Sequence, residues 1–248
     1  ELIFKTSIFV LISIVISKVF SYLYKIIVAR YLGAELYGLF SLSMAIISIF
    51  AAISALGLSE GALRYISLYR GKNKKEKIRY VFRISLKILI VSTVTAALIS
   101  FLLAEFISIN IFKNSNLIIF LKIFSFLLPI WVLGIFFMYI MIAYEKVKQQ
   151  AVVDKIVQSS VKLIFIIFFI FLGLKTNAII FSYFIGIFAF FLGTFLYCKY
   201  NLPEIFFSYK LKNEEKKSIF KSLISYSIPV MLFWTISDIF YWIDSFLI

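Results

Sequence analysis

Residues Leu39–Leu58 read LFSLSMAIISIFAAISALGL, twenty residues without a charge. As a helix rising 1.5 Å per residue, such a run is about 30 Å long, the thickness of a bilayer's hydrocarbon core. Six further stretches are similar in length and apolarity, giving seven in all: Ser7–Val28, Gly38–Glu60, Val81–Glu105, Leu117–Tyr144, Ala151–Leu174, Thr176–Cys198 and Ser222–Ile248. Their hydrophobicity is continuous rather than alternating, which predicts helices and not barrel strands. Composition agrees: 63% of the 248 residues are hydrophobic and 15% charged, with a mean hydropathy of +1.04. Soluble chains run at about 45–50% apolar and about 25% charged, and disorder requires low hydrophobicity. The expected fold class is therefore an all-α integral membrane bundle.

Absences narrow the chemistry. There is no His, hence no imidazole for general base catalysis or metal ligation. Cys198 is the one cysteine, so one chain cannot build a disulfide framework or a thiolate cluster. No cofactor is expected. A membrane-embedded glycosyltransferase or polymerase, which would use acids or His at a membrane surface beside a substantial outer loop, is disfavoured.

The net charge of +14 lies mostly in alternate loops, a topological pattern rather than a nucleic-acid face. Arg70–Arg83 holds seven basic residues against one acid, Tyr144–Lys155 three against two, and Lys199–Lys221 six against three. The intervening loops carry Arg30, Lys113 and Lys175, one each. By the positive-inside rule the N-terminus and the three basic loops face the cytoplasm of a multi-pass protein in the cytoplasmic membrane. The first span is too long, and lacks the small-residue site, for a cleavable signal.

Spans one and seven repeat at an offset of 220 residues. Ser7, Ile8, Val10, Ile16, Ser17 and Phe20 match Ser227, Ile228, Val230, Ile236, Ser237 and Phe240, with Lys18 opposite Asp238. Six spans separate the starts of the two copies, so both helices cross in the same direction, as a parallel repeat requires. The expected organisation is a six-helix lobe (residues 1–200), a cytoplasmic linker (201–221) and the first helix of a second lobe (222–248). The natural chain is expected to be longer.

The stretch Ala29–Ser67, ARYLGAELYGLFSLSMAIISIFAAISALGLSEGALRYIS, resembles the polysaccharide flippase family of the multidrug/oligosaccharidyl-lipid/polysaccharide (MOP) exporter superfamily, whose fold is MATE-like. The ARYLG turn, Tyr37–Gly38, Gly57 and Arg64 carry the resemblance, with the basic loop that follows and the Pro229-containing start of span seven. It implies two six-helix lobes with up to 14 spans, a V-shaped cavity, alternating access, and an undecaprenyl- or dolichyl-phosphate-linked saccharide as cargo. A cation-coupled exporter of organic cations in the same superfamily is the alternative.

Charges at bilayer depth cost about 2.5–3.5 kcal/mol on insertion scales, so they usually face a cavity or a partner. Lys18 lies near the middle of span one, and Lys25, seven residues on, shares its face. Two readings stay open: a cationic stripe for the phosphates of a polyprenyl-phosphate-linked saccharide, or snorkelling to the surface. Span five carries Asp154, Lys155, Gln158 and Lys162 on one polar face expected to line the cavity, with Lys162 the better binding candidate and Asp154–Lys155 an interfacial pair. Asp238 and Asp244 in span seven are expected to couple transport to H+ or Na+, or, for Asp238, to pair with Lys18. Glu60 and Arg64 read as an i,i+4 pair ending span two, Arg64 also matching the family pattern for a headgroup or gating role. Gly57 and Gly61 form a GxxxG, which favours close helix packing.

Overall fold

The computed structural model describes residues 2–243, and these form helices joined by short turns, with no strand among them. The helices are α1 (Leu2–Ile27), α2 (Ala34–Ala55), α3 (Leu58–Gly71), α4 (Lys75–Phe106), α5 (Leu117–Ala143), α6 (Val147–Ala151), α7 (Gln158–Phe171), α8 (Lys175–Asn201) and α9 (Asn213–Tyr241). In hydrocarbon every backbone N–H and C=O must be satisfied within the chain, which is why apolar runs of this length become helices. Among the described residues, six helical segments are long and apolar enough to cross a membrane: Phe4–Tyr31, Ala34–Ala55, Lys75–Ile111, Leu117–Ala143, Thr176–Asn201 and Asn213–Tyr241.

Three expected spans differ in detail. Span two, read as unbroken from Gly38 to Glu60, stops at Ala55. Leu56 (φ 51°) and Gly57 (φ 62°) are both left-handed and turn the chain into α3. Glu60 and Arg64 therefore belong to a separate helix. Span five is not one α-helix but α6, a π-helical stretch Val152–Val157 and α7. Asp154, Lys155 and Lys162 make this run too polar to rank with the other six. The last helix, α9, begins at Asn213, within the stretch expected as linker; the end of span seven, including Asp244, lies outside the described residues.

The core centres on α5, which packs against α2, α3, α4 and α8. Phe120, Phe124, Phe136 and Phe137 on α5 are buried; Phe136 stacks on Phe82 of α4 at 5.7 Å between centroids, and Phe124 meets Phe40 of α2 edge-on at 5.8 Å. Gly134 lets α8 approach: a Cβ there would lie 2.7 Å from the Phe190 ring. At the periphery α1 is held to α7 by Ser17 and Ser159, whose hydroxyls are 2.9 Å apart, and to α8 by the Tyr24 and Ser182 hydroxyls at 3.2 Å.

The three basic loops meet at one end of the bundle. Arg70 donates to the Ala143 carbonyl at 2.8 Å and pairs with Glu145. Arg79 donates to the carbonyls of Glu204 (2.9 Å) and Ser208 (3.3 Å), Arg83 to that of Phe206 (2.8 Å), and the Lys210 N–H to Glu76 (2.6 Å). Lys75 pairs with Glu204 at 2.9 Å and holds its carboxyl below the usual carboxylate range. Residues read only as a topological signal thus strap the connection between α8 and α9 onto α4.

From that strap α9 runs back along α2, α3 and α4. Gly57 and Gly61 make the seam: a Cβ on Gly57 would strike the Ser227 carbonyl, and one on Gly61 the Ser227 hydroxyl. The GxxxG is a packing device here, as its spacing suggests. Tyr65 donates to the Ser222 carbonyl at 3.0 Å one turn further on.

Candidate functional site

A cavity of about 480 Å³ opens where α9 leaves the other helices. One wall is the second half of α2, where Met44, Ser48, Ala51 and Ala55 present mostly small side chains. The α2–α3 turn continues it with Gly57, Ser59 and Glu60. From α5 come Trp131, Ile135, Met138 and Tyr139, one stripe at helical spacing, and from α8 Tyr183 and Phe190. The π-helical stretch and the first residue of α7 supply Asp154, Lys155 and Gln158. Met231, Trp234, Asp238 and Tyr241 of α9, with Trp242 just beyond it, close the opposite side.

The polar groups have distinct partners. Asp154 and Lys155 form an ion pair at 2.7 Å, and Gln150 donates to Asp154 at 3.2 Å. An i→i+5 turn is rare and concentrates at functional sites, and here it carries this pair to the cavity wall. The Glu60 carboxylate lies against the Tyr139 hydroxyl. Ser59 is buried, and its hydroxyl has no hydrogen-bond partner. Asp238 is half-buried, and no ion pair among the described residues involves it.

The residues singled out in the sequence fall in different places. Asp238 lines the cavity. Lys162 sits just behind its wall: the ammonium is 3.9 Å from the centroid of the Tyr183 ring, and the stem crosses Gly186, where a Cβ would strike it. Lys18 and Lys25 lie outside this cavity, on the exposed surface of α1. They follow Ser17 and Tyr24 in sequence, so they point about 100° round the helix from the face that packs. Lys18 does not pair with Asp238, because α9 packs on α2, α3 and α4 while α1 packs on α6 and α7. Arg64 forms no i,i+4 pair with Glu60; its guanidinium lies 4.3 Å from the Tyr226 ring centroid, at the α3–α9 seam. Asp244 lies outside the described residues.

Several lining residues escaped the sequence reading. Trp131, Trp234, Tyr139 and Ser59 line the cavity, together with Asp154 and Lys155 from the polar face of span five that was expected to line it. A signal was available for the tryptophans: the chain has three, at 131, 234 and 242, and all three line this one cavity.

The same arrangement of helices occurs in solved transporters. A MOP superfamily transporter from Pyrococcus furiosus, whose binding pocket of reverse polarity is described as suggesting a different function for it, superposes with a TM-score of 0.74 at 16% identity, over 96% of this chain and 52% of its own. An outward-facing multidrug resistance MATE family transporter of the superfamily gives 0.70 at 15% identity, over 95% and 52%. The chain thus spans about half the length of the transporters it resembles. No curated protein matches it in sequence. The family model described as polysaccharide biosynthesis protein matches residues 3–248, and the chain, a multi-pass helical membrane protein with a MOP transporter's fold, belongs to that family.

Proposed function

We propose that this protein moves a polyprenyl-phosphate-linked saccharide across the cytoplasmic membrane by alternating access, as a transporter and not an enzyme. The observation that carries the reading is the cavity between α9 and the helices before it: it is wide enough for a sugar headgroup, within the roughly 300–1,000 Å³ of small-molecule sites, and lined by both aromatic and hydrogen-bonding side chains. Residues 1–200 form the first lobe, and α9 opens the second. The three basic loops, gathered at one end of the bundle, face the cytoplasm with the N-terminus. Lys18 and Lys25, exposed on one side of α1, meet the lipid phosphates while the headgroup occupies the cavity. Lys162 supports the cavity wall, and Arg64 holds the α3–α9 seam that must shift when the lobes rock. Asp238, with Asp244, exchanges the H+ or Na+ that couples the cycle.

The test is complementation of a flippase-deficient strain. Lys18→Ala is expected to abolish surface glycan while the protein remains folded and inserted; normal glycan would overturn the phosphate-binding role. A second reading, export of organic cations, is favoured by one observation: Glu60, Asp154 and Asp238 line the cavity against Lys155 alone. Tetraphenylphosphonium efflux from the same cells distinguishes the two.

A further inference from the structure

In membrane proteins tryptophan gathers at the two water interfaces, where its amphipathic ring sits among headgroups. Here Trp131, Trp234 and Trp242 instead surround one cavity, brought together from α5 and from the end of α9. Indole faces carry the negative side of the ring quadrupole, and the polarised C–H face of a pyranose is complementary to them. The hydroxyl edge of the same ring requires acceptors, and the cavity is rich in these.

The charge balance of those acceptors is uneven. Asp154 is matched by Lys155 at 2.7 Å. Glu60 and Asp238 have no cationic partner among the described residues. Lys162 is engaged with the Tyr183 ring and is not among the lining residues. Ser59, buried with an unpartnered hydroxyl, adds a neutral donor and acceptor beside Glu60. A sugar hydroxyl can donate to Glu60 or Asp238 and gain a charge-assisted bond. An ammonium substituent would in addition neutralise one of them and stack on indole. A sugar carboxylate would face two like charges in a site of reduced dielectric, where repulsion is strong.

We infer that the cavity takes the saccharide headgroup as neutral or amine-bearing sugar rings stacked on the tryptophans, and excludes sugars that carry carboxylates. This rests on the flippase reading and adds the charge class of its cargo. It also divides recognition: the carboxylates of the cavity read the sugar, and the lysines of α1 hold the phosphate outside it.

Ligand-observed NMR on the full-length protein in lipid nanodiscs tests it, with cellobiose, a glucosamine disaccharide, digalacturonate and tetraphenylphosphonium as probes. The two carboxylate-free disaccharides are expected to bind at least about tenfold more tightly than digalacturonate. The double variant Glu60→Gln, Asp238→Asn is expected to bring the cellobiose and digalacturonate affinities within about threefold of each other. Equal or tighter binding of digalacturonate to the unaltered protein overturns the inference and leaves the flippase reading standing; this comparison needs no variant to fold. A preference that persists in the double variant overturns the role of those two carboxylates. Binding of tetraphenylphosphonium with no disaccharide binding overturns both the inference and the flippase reading.

Discussion

Lys162 and Gly186 fit each other as a long stem and a missing methyl group. The stem crosses α8 where glycine leaves room, and the ammonium reaches the face of Tyr183. Gly186→Ala should therefore lower stability by about 1–3 kcal/mol, the usual cost of overpacking. Lys162→Ala in the same chain should recover most of that loss, because the colliding atoms are gone. Thermal unfolding of the four proteins of this double-mutant cycle measures it, and additive losses would contradict the contact. Residues of this kind were half legible in the sequence. Helical periodicity put Lys18 and Lys25 on one face of span one and Asp154, Lys155, Gln158 and Lys162 on one face of span five; Asp154, Lys155 and Gln158 line the cavity, and Lys162 lies behind its wall. Periodicity left open which face meets a neighbour, because period fixes angle around a helix and says nothing of what stands opposite. The i→i+5 turn at Asp154 and Lys155 leaves no mark in the spacing of residue types.

At the scale of elements, two devices join α9 to the helices before it. One is the seam of Gly57, Gly61, Arg64 and Tyr65 along α3. The other is the strap from α4, in which Arg79 and Arg83 hold three backbone carbonyls between Glu204 and Ser208. These hydrogen bonds are exposed, as are the ion pairs beside them, which contribute about 0–1 kcal/mol each, so the restraint comes from several contacts acting on one short segment. The double variant Arg79→Ala, Arg83→Ala is expected to speed tryptic cleavage at Lys210 and Lys212 several-fold in the folded protein; an unchanged rate would mean that the strap is held elsewhere. The basic run Arg70–Arg83 was legible as a topological signal, but its second role required knowing that the chain returns to the same place some 125 residues later. The break at Leu56–Gly57 was hidden for another reason. A leucine in the left-handed region costs about 1–2 kcal/mol, so no local preference of Leu56 marks the break; Ser227 of α9 packs on Gly57 beside it.

At the scale of the molecule, six of the seven expected passes are helices long and apolar enough to cross a bilayer, and these were legible because a bilayer demands about twenty apolar residues whatever their neighbours. The alternation of loop charge also gave the correct grouping of the three basic loops at one end, which the contacts of Arg70 and Arg79 establish independently. Orientation is open to direct measurement. Cys198 is buried and is the one cysteine in the sequence, so single cysteines introduced elsewhere can be labelled against a quiet background. Lys74→Cys and Lys146→Cys are expected to react with an impermeant maleimide only from the cytoplasmic side, and Asn114→Cys only from outside. Labelling of all three from one side would contradict the topology.

The central claim is that the tryptophan-lined cavity is the path of the saccharide headgroup. The most direct test is movement of a fluorescent polyprenyl-diphosphate-linked saccharide between leaflets of proteoliposomes, followed by quenching with impermeant dithionite. The full-length protein should move it, and Trp242→Ala combined with Asp238→Asn should slow it at least about tenfold. Lys122→Ala, which removes a lysine lying over Phe101 away from the cavity, should leave the rate unchanged. Transfer at the unaltered rate in the cavity variant would contradict the account.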